Sequence, residues 1–147
     1  MRSETGSISL LILGLAVIAM VLVAGTVAVT SAHVARMRLL DVADGAALSA
    51  ANALDDSAYQ QGLGESVPLS NASVRERAVD YIGSRPRPVS ILAWRLGPET
   101  GTPDGRTAVI ALTGEARLPM IGPALRELGV SVTISVRAEA RADLVVP

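Results

Sequence analysis

The residues that could carry chemistry in this chain are few and poorly placed for it. The single histidine, His33, has no cysteine or second histidine with which to share a metal ion, because the chain contains neither. Zinc sites draw on imidazoles and thiolates, three or four to a centre. Asp55 and Asp56 set two carboxylates side by side, but adjacent carboxylates at a helix end are ordinarily solvated. A serine nucleophile needs a positioned base, and no Gly-x-Ser-x-Gly elbow occurs. Gly62-Leu63-Gly64 is too short to cradle a phosphate and opens no helix. Asn71-Ala72-Ser73 fits a glycosylation acceptor, and reads more simply as a helix start. The expectation is a non-enzyme with no catalytic residue, no metal, no cofactor and no small-molecule substrate.

Composition narrows the field further. A chain of 147 residues holds one ordinary domain, or a smaller one plus an anchor. Its net charge is −1, and its thirteen basic residues are all Arg. They are scattered, with no basic stripe and no interleaved aromatics, so nothing points to nucleic acid. Trp94, Tyr59 and Tyr81 are the only aromatics, which leaves the core to Leu, Ile, Val and Ala. The absence of Cys removes disulfides and thiolate chemistry.

What positions everything else is the N-terminal third. Ile8 to Val29 reads ISLLILGLAVIAMVLVAGTVAV, with only Ser9 and Thr26 polar. As a helix this run is about 33 Å long, enough to cross a bilayer core. Its Leu, Ile and Val residues favour insertion by roughly 5 kcal/mol, more than two hydroxyls can cancel. The run is longer than the apolar part of a secretory signal, and Thr30-Ser31-Ala32 is only a fair cleavage site. A retained single-pass anchor in the lipid bilayer is expected. Taken alone, the positive-inside rule sets Arg2 and the α-amine against Arg36 and Arg38, and leans towards a cytoplasmic C-terminus.

Beyond the span, Gly45 is the only helix breaker between residues 30 and 58, so the helix is expected to continue. On a 3.6-residue period, Met37, Leu40, Ala43, Ala47, Ala50 and Leu54 fall on one face, and Asp41, Asp44, Asn52 and Asp55 mostly on another. Small residues recur every four positions at Ala24, Ala28 and Ala32, and again at Ala43, Ala47 and Ala51. Such spacing lets helices approach closely, and these six are the candidate helix-packing residues.

The pattern Arg-x6-Ala-Asp-x-Ala-Ala-Leu-x-Ala-Ala is the most specific element, seen as Arg36, Ala43, Asp44, Ala46, Ala47, Leu48, Ala50 and Ala51. With the short leader ending at Gly6 and the apolar run, it resembles the TadE/TadG-like proteins of tight-adherence (Tad/Flp) pilus systems, in their short actinobacterial form. The resemblance covers residues 6 to 54. It implies a pseudopilin-like membrane protein with a cytoplasmic N-terminus and an extracytoplasmic domain, acting in pilus assembly or secretion beside other pilus-assembly or pseudopilin subunits. It also implies a prepilin-peptidase site between Gly6 and Ser7. This sequence departs from that pattern: Leu11 occupies the fifth mature position, where the family carries Glu. An uncleaved anchor is therefore expected. The alternative reading is a membrane-tethered extracytoplasmic module that binds a ligand or envelope polymer.

The remainder reads as a small α+β unit. Ser73-Val-Arg-Glu76 has the form of a capping box for a short helix, with Val74, Ala78, Tyr81 and Ile82 inward and Gly83 at its end. Arg85-Pro-Arg87-Pro serves as a rigid connector. Three strands follow at Val89–Leu96, Thr107–Leu118 and Val130–Asp143, the last with strict alternation of apolar and polar residues. Between the last two strands, Leu118, Met120, Ile121 and Leu125 are expected to cover a sheet edge. The expected organisation is a leader at 1–6, a transmembrane helix with its extension at 7–58, a loop at 59–70 and a domain at 71–147. That domain is pilin-like, with a three- to four-stranded antiparallel sheet and one or two short helices.

Overall fold

The computed structural model describes residues 5–61 and 68–141, with side chains described for 8–52 and 68–141. The first four leader residues, most of the loop expected at 59–70 (with Gly62-Leu63-Gly64), the side chains of Ser7, Leu54, Asp55 and Asp56, and the strand end at Asp143 lie outside the described residues. The first element, α1 (Thr5–Gln61), is one unbroken helix of 57 residues, about 85 Å long. No proline interrupts it, and its second half is dominated by alanine, the strongest helix former.

α2 (Asn71–Gly83) begins three residues earlier than a Ser73 cap would place it. Ser70 is the N-cap: the Ser73 amide donates to its hydroxyl at 3.0 Å, and the Ser70 amide donates to Ser73 Oγ at 3.1 Å. The box is therefore Ser70/Ser73, a hydroxyl answering a hydroxyl where Glu76 had seemed the partner. The helix closes at Ser84, one residue beyond the expected Gly83. Its inward residues are as the periodicity predicts, with Val74 and Ala78 buried and Tyr81 and Ile82 half-buried.

The sheet is three-stranded, antiparallel and in sequence order: β1 (Ile91–Leu96), β2 (Thr107–Ala116) and β3 (Thr133–Arg141). β2 is central. Its Ala108, Ile110, Leu112 and Ala116 are buried, as its alternation predicts, and Leu112 pairs with Val136 and Ile110 with Ala138 of β3. β1 carries a register shift between Ile91 and Ala93. That bulge keeps Ile91 inside and brings Trp94 and Leu96 against the core further along the strand.

One face of the sheet lies on the second half of α1, and α2 packs against the same helix beside it. The connection from β2 to β3 contains the short helix α3 (Gly122–Glu127), and Leu118, Ile121 and Leu125 join the core there. Met120 does not: it adopts φ +69° and is two-thirds exposed, so the turn into α3 turns it outward.

Candidate functional site

The site to be explained is α1 and its junction with the sheet. From Ile8 to Val23 every Leu, Ile, Val and Met side chain stands exposed, and the helix is long and apolar enough to cross a membrane. Residues 5–35 contain no Asp, Glu, Lys or Arg; at 1.5 Å per residue they span about 46 Å, the thickness of a bilayer with its headgroups. Thr26 and Thr30 donate their hydroxyls to the Leu22 and Thr26 carbonyls, both at 2.9 Å. Such back-bonding satisfies a hydroxyl within its own helix, which suits an apolar surrounding.

The domain begins to cover α1 at Ala28. Along the helix Ala28, Ala35, Leu39, Ala43, Ala46, Ala47, Ala50 and Ala51 are buried, and Ala32 and Val42 are half-buried against them. The inward face is thus rotated from the one that Met37 and Leu40 suggested: these two are 55% and 38% exposed. Alanine faces inward because the sheet and α2 both lie directly on this helix, and small side chains permit that approach. The candidate packing alanines 43, 47 and 51 lie in the chain's own core with half-buried Ala32 against it; Ala28 is buried apart from that cluster and Ala24 is half-buried.

The Arg36–Ala51 motif therefore divides by face. Its alanines form the floor of the core, while Arg36, Asp44 and Leu48 point outward, Leu48 with 55% of its surface exposed. Met37, Leu40, Asp44 and Leu48 follow one another at three- and four-residue steps and make one exposed stripe.

Two glycines set the fit of the junction. A Cβ at Gly114 of β2 would lie 3.1 Å from both Leu39 δ-carbons, so Leu39 occupies the place of a β2 side chain. A Cβ at Gly45 would lie 2.0 Å from the Tyr81 hydroxyl and 2.7 Å from Cζ, so Gly45 is a notch that receives Tyr81 of α2. Arg85 covers the same ring at 4.7 Å from its centroid, a cation–π contact. Sequence reasoning passes over Gly45 as a helix breaker; the clue was a lone glycine inside an alanine-rich helix that nevertheless does not end there.

The other residues singled out for chemistry have structural places. Asn71 Oδ1 accepts the Thr102 amide at 2.8 Å and ties the start of α2 to the β1–β2 connection. Arg75 reinforces that tie by donating to the Pro98 and Thr100 carbonyls at 3.1 and 3.2 Å. His33 lies on an exposed part of α1. Among the described residues no three His, Asp or Glu side chains gather where they could hold a metal ion. Asp104 accepts the Arg106 and Thr107 amides at 2.9 and 2.6 Å and the Thr107 hydroxyl at 2.8 Å. These donors, the Arg106 amide foremost, hold its carboxyl well below the usual range, at about 2.

No curated protein and no solved structure matches the chain. A family model does, the one described as "Putative Flp pilus-assembly TadE/G-like", and the matched residues are 6–53. That stretch joins the exposed span to the buried alanine floor, which includes Ala50 and Ala51. Over residues 6–53, anchor and core floor together, the chain is similar to the TadE/G-like pilus-assembly proteins.

Proposed function

We propose that the protein is a pseudopilin-like component of a Tad/Flp-type pilus assembly or secretion system. In this reading it is held by one membrane helix with its N-terminus cytoplasmic and its domain extracytoplasmic, and it works by protein contact without catalysis. The observation that carries the reading is the continuity of α1: the helix that spans the membrane is the same one on which the sheet and α2 are built. A tethered binding module has no need of such a junction, since a flexible linker would serve it better.

Because the alanine floor is occupied within the chain, the contact face for partner subunits is the outward stripe of Met37, Leu40, Asp44 and Leu48. The chain has no cysteine, which makes a single introduced one a clean probe. Leu48→Cys should crosslink to a second copy or to another pilus-assembly subunit in cells. Arg95→Cys, on the exposed side of β1, should react with an impermeant maleimide from outside. A Leu48→Cys chain that inserts but crosslinks to nothing would favour the simple anchor. With Leu11 in place of a Glu, the anchor is expected to stay uncut, and a mature chain beginning at Ser7 by mass would overturn that.

A further inference from the structure

We propose that the groove between α1 and the near end of the sheet is a binding site for one phospholipid of the leaflet from which the helix emerges. The groove has a volume of about 440 Å³, and one wall is the α1 segment from Thr26 to Arg38. The opposite wall is the end of the sheet where β1 begins and β2 has just ended, contributing Val89, Ser90, Arg117 and Pro119.

The groove combines two chemistries. Val27, Val34, Val89 and Pro119 give it an apolar surface, and the Thr26 and Thr30 hydroxyls add no polarity because each is bonded to its own helix backbone. Arg38 and Arg117 also line it, and no Asp or Glu is among the residues lining the groove. Neither guanidinium takes part in an ion pair among the described residues. Ser90, also in the wall, accepts the Arg117 amide with its backbone carbonyl at 2.8 Å.

The depth is right for a lipid. If the uncharged residues 5–35 occupy the bilayer and its headgroup layers, the α1 wall from Thr26 to Val34 lies within them and Arg38 follows one turn beyond Val34, within reach of the phosphates. The same end of the domain exposes Val89, Met120, Leu128 and Val130, so the groove is continuous with a membrane-facing apolar surface. An anionic head with an apolar tail matches the two arginines and the apolar wall, whereas a second copy's apolar helix would leave the arginines unanswered. This inference rests on the membrane-anchor reading.

The test uses the full chain reconstituted in phosphatidylglycerol/phosphatidylcholine nanodiscs, then extracted in mild detergent and titrated with phosphatidylglycerol under native mass spectrometry. One tightly held phosphatidylglycerol per chain is expected, not displaced by inorganic phosphate. Arg38→Gln/Arg117→Gln should weaken it about tenfold or more, the worth of charged hydrogen bonds. Thr30→Phe, at an exposed helix position, should block the groove with its charge intact and weaken binding comparably. Circular dichroism melting and insertion should be unchanged in both variants. Retention that neither variant alters, displacement by inorganic phosphate alone, or replacement of the lipid by a second copy would each overturn the proposal. A wild-type chain that resists insertion into the nanodisc would overturn the anchor reading, and the lipid site with it.

Discussion

Leu39 of α1 rests on the bare backbone of Gly114 in β2, its two δ-carbons 3.1 Å from where a Cβ would stand. This contact couples α1 directly to the sheet, and Leu39 is among the largest fully buried side chains. Leu39→Ala should destabilise the domain by about 2–5 kcal/mol, and Gly114→Ala by about 1–3 kcal/mol through overpacking. The double variant should lose less than the sum, because the added methyl partly fills the cavity. Denaturant unfolding of the detergent-solubilised chain measures all three.

Gly45 and Tyr81 predict a change of sign. In a helix without neighbours Gly→Ala gains about 1 kcal/mol, but here the methyl would lie 2.0 Å from the Tyr81 hydroxyl. Gly45→Ala should therefore lower the melting temperature in the native chain and raise it in a Tyr81→Ala background. An increase in both backgrounds would show that Tyr81 is not seated in the notch.

Neighbouring positions in the motif should fail in different ways. Ala47 is fully buried and Leu48 is more than half exposed. Ala47→Leu forces a larger side chain into a filled core and should cost about 1–3 kcal/mol, seen as protease sensitivity and lower abundance. Leu48→Arg should leave melting and insertion intact while abolishing pilus assembly. Normal assembly by folded Leu48→Arg would remove the outward stripe from the contact surface.

Asp104 should titrate at about 2, against an ordinary value of 3.8. Its folded pKa is the lower one, so its contribution is complete above the ordinary value and is lost as pH falls through the folded value. The turn between β1 and β2 should loosen between pH about 4 and 2, read by carboxyl chemical shifts and amide exchange at Arg106 and Thr107. Asp104→Ala should abolish that transition and reduce protection at neutral pH.

Much of this architecture is legible in the residues. The span is set by composition, and the strands by period-two alternation that β2 and β3 keep almost to their ends. What the sequence obscures is the phase of the helix. Met37 and Leu40 attract an apolar face because they are large, yet α1 is flanked on two sides and must present alanine inward. The β1 bulge and the Tyr81 notch depend on neighbours distant in sequence, which no local period records. The Ser70/Ser73 cap is masked in the sequence by Ser73-x-x-Glu76, which fits the same rule three residues later.

The single helix of anchor and core also has a mechanical consequence. A pull on the sheet is transmitted through Leu39, Gly114 and the alanine floor directly into the helix axis, with no hinge to absorb it. Raising the span by one helical turn, about 5.4 Å, lifts the domain by the same distance, and twisting the span swings the domain around it. The sheet is a handle fixed to a rod, and whatever grips one end moves the other.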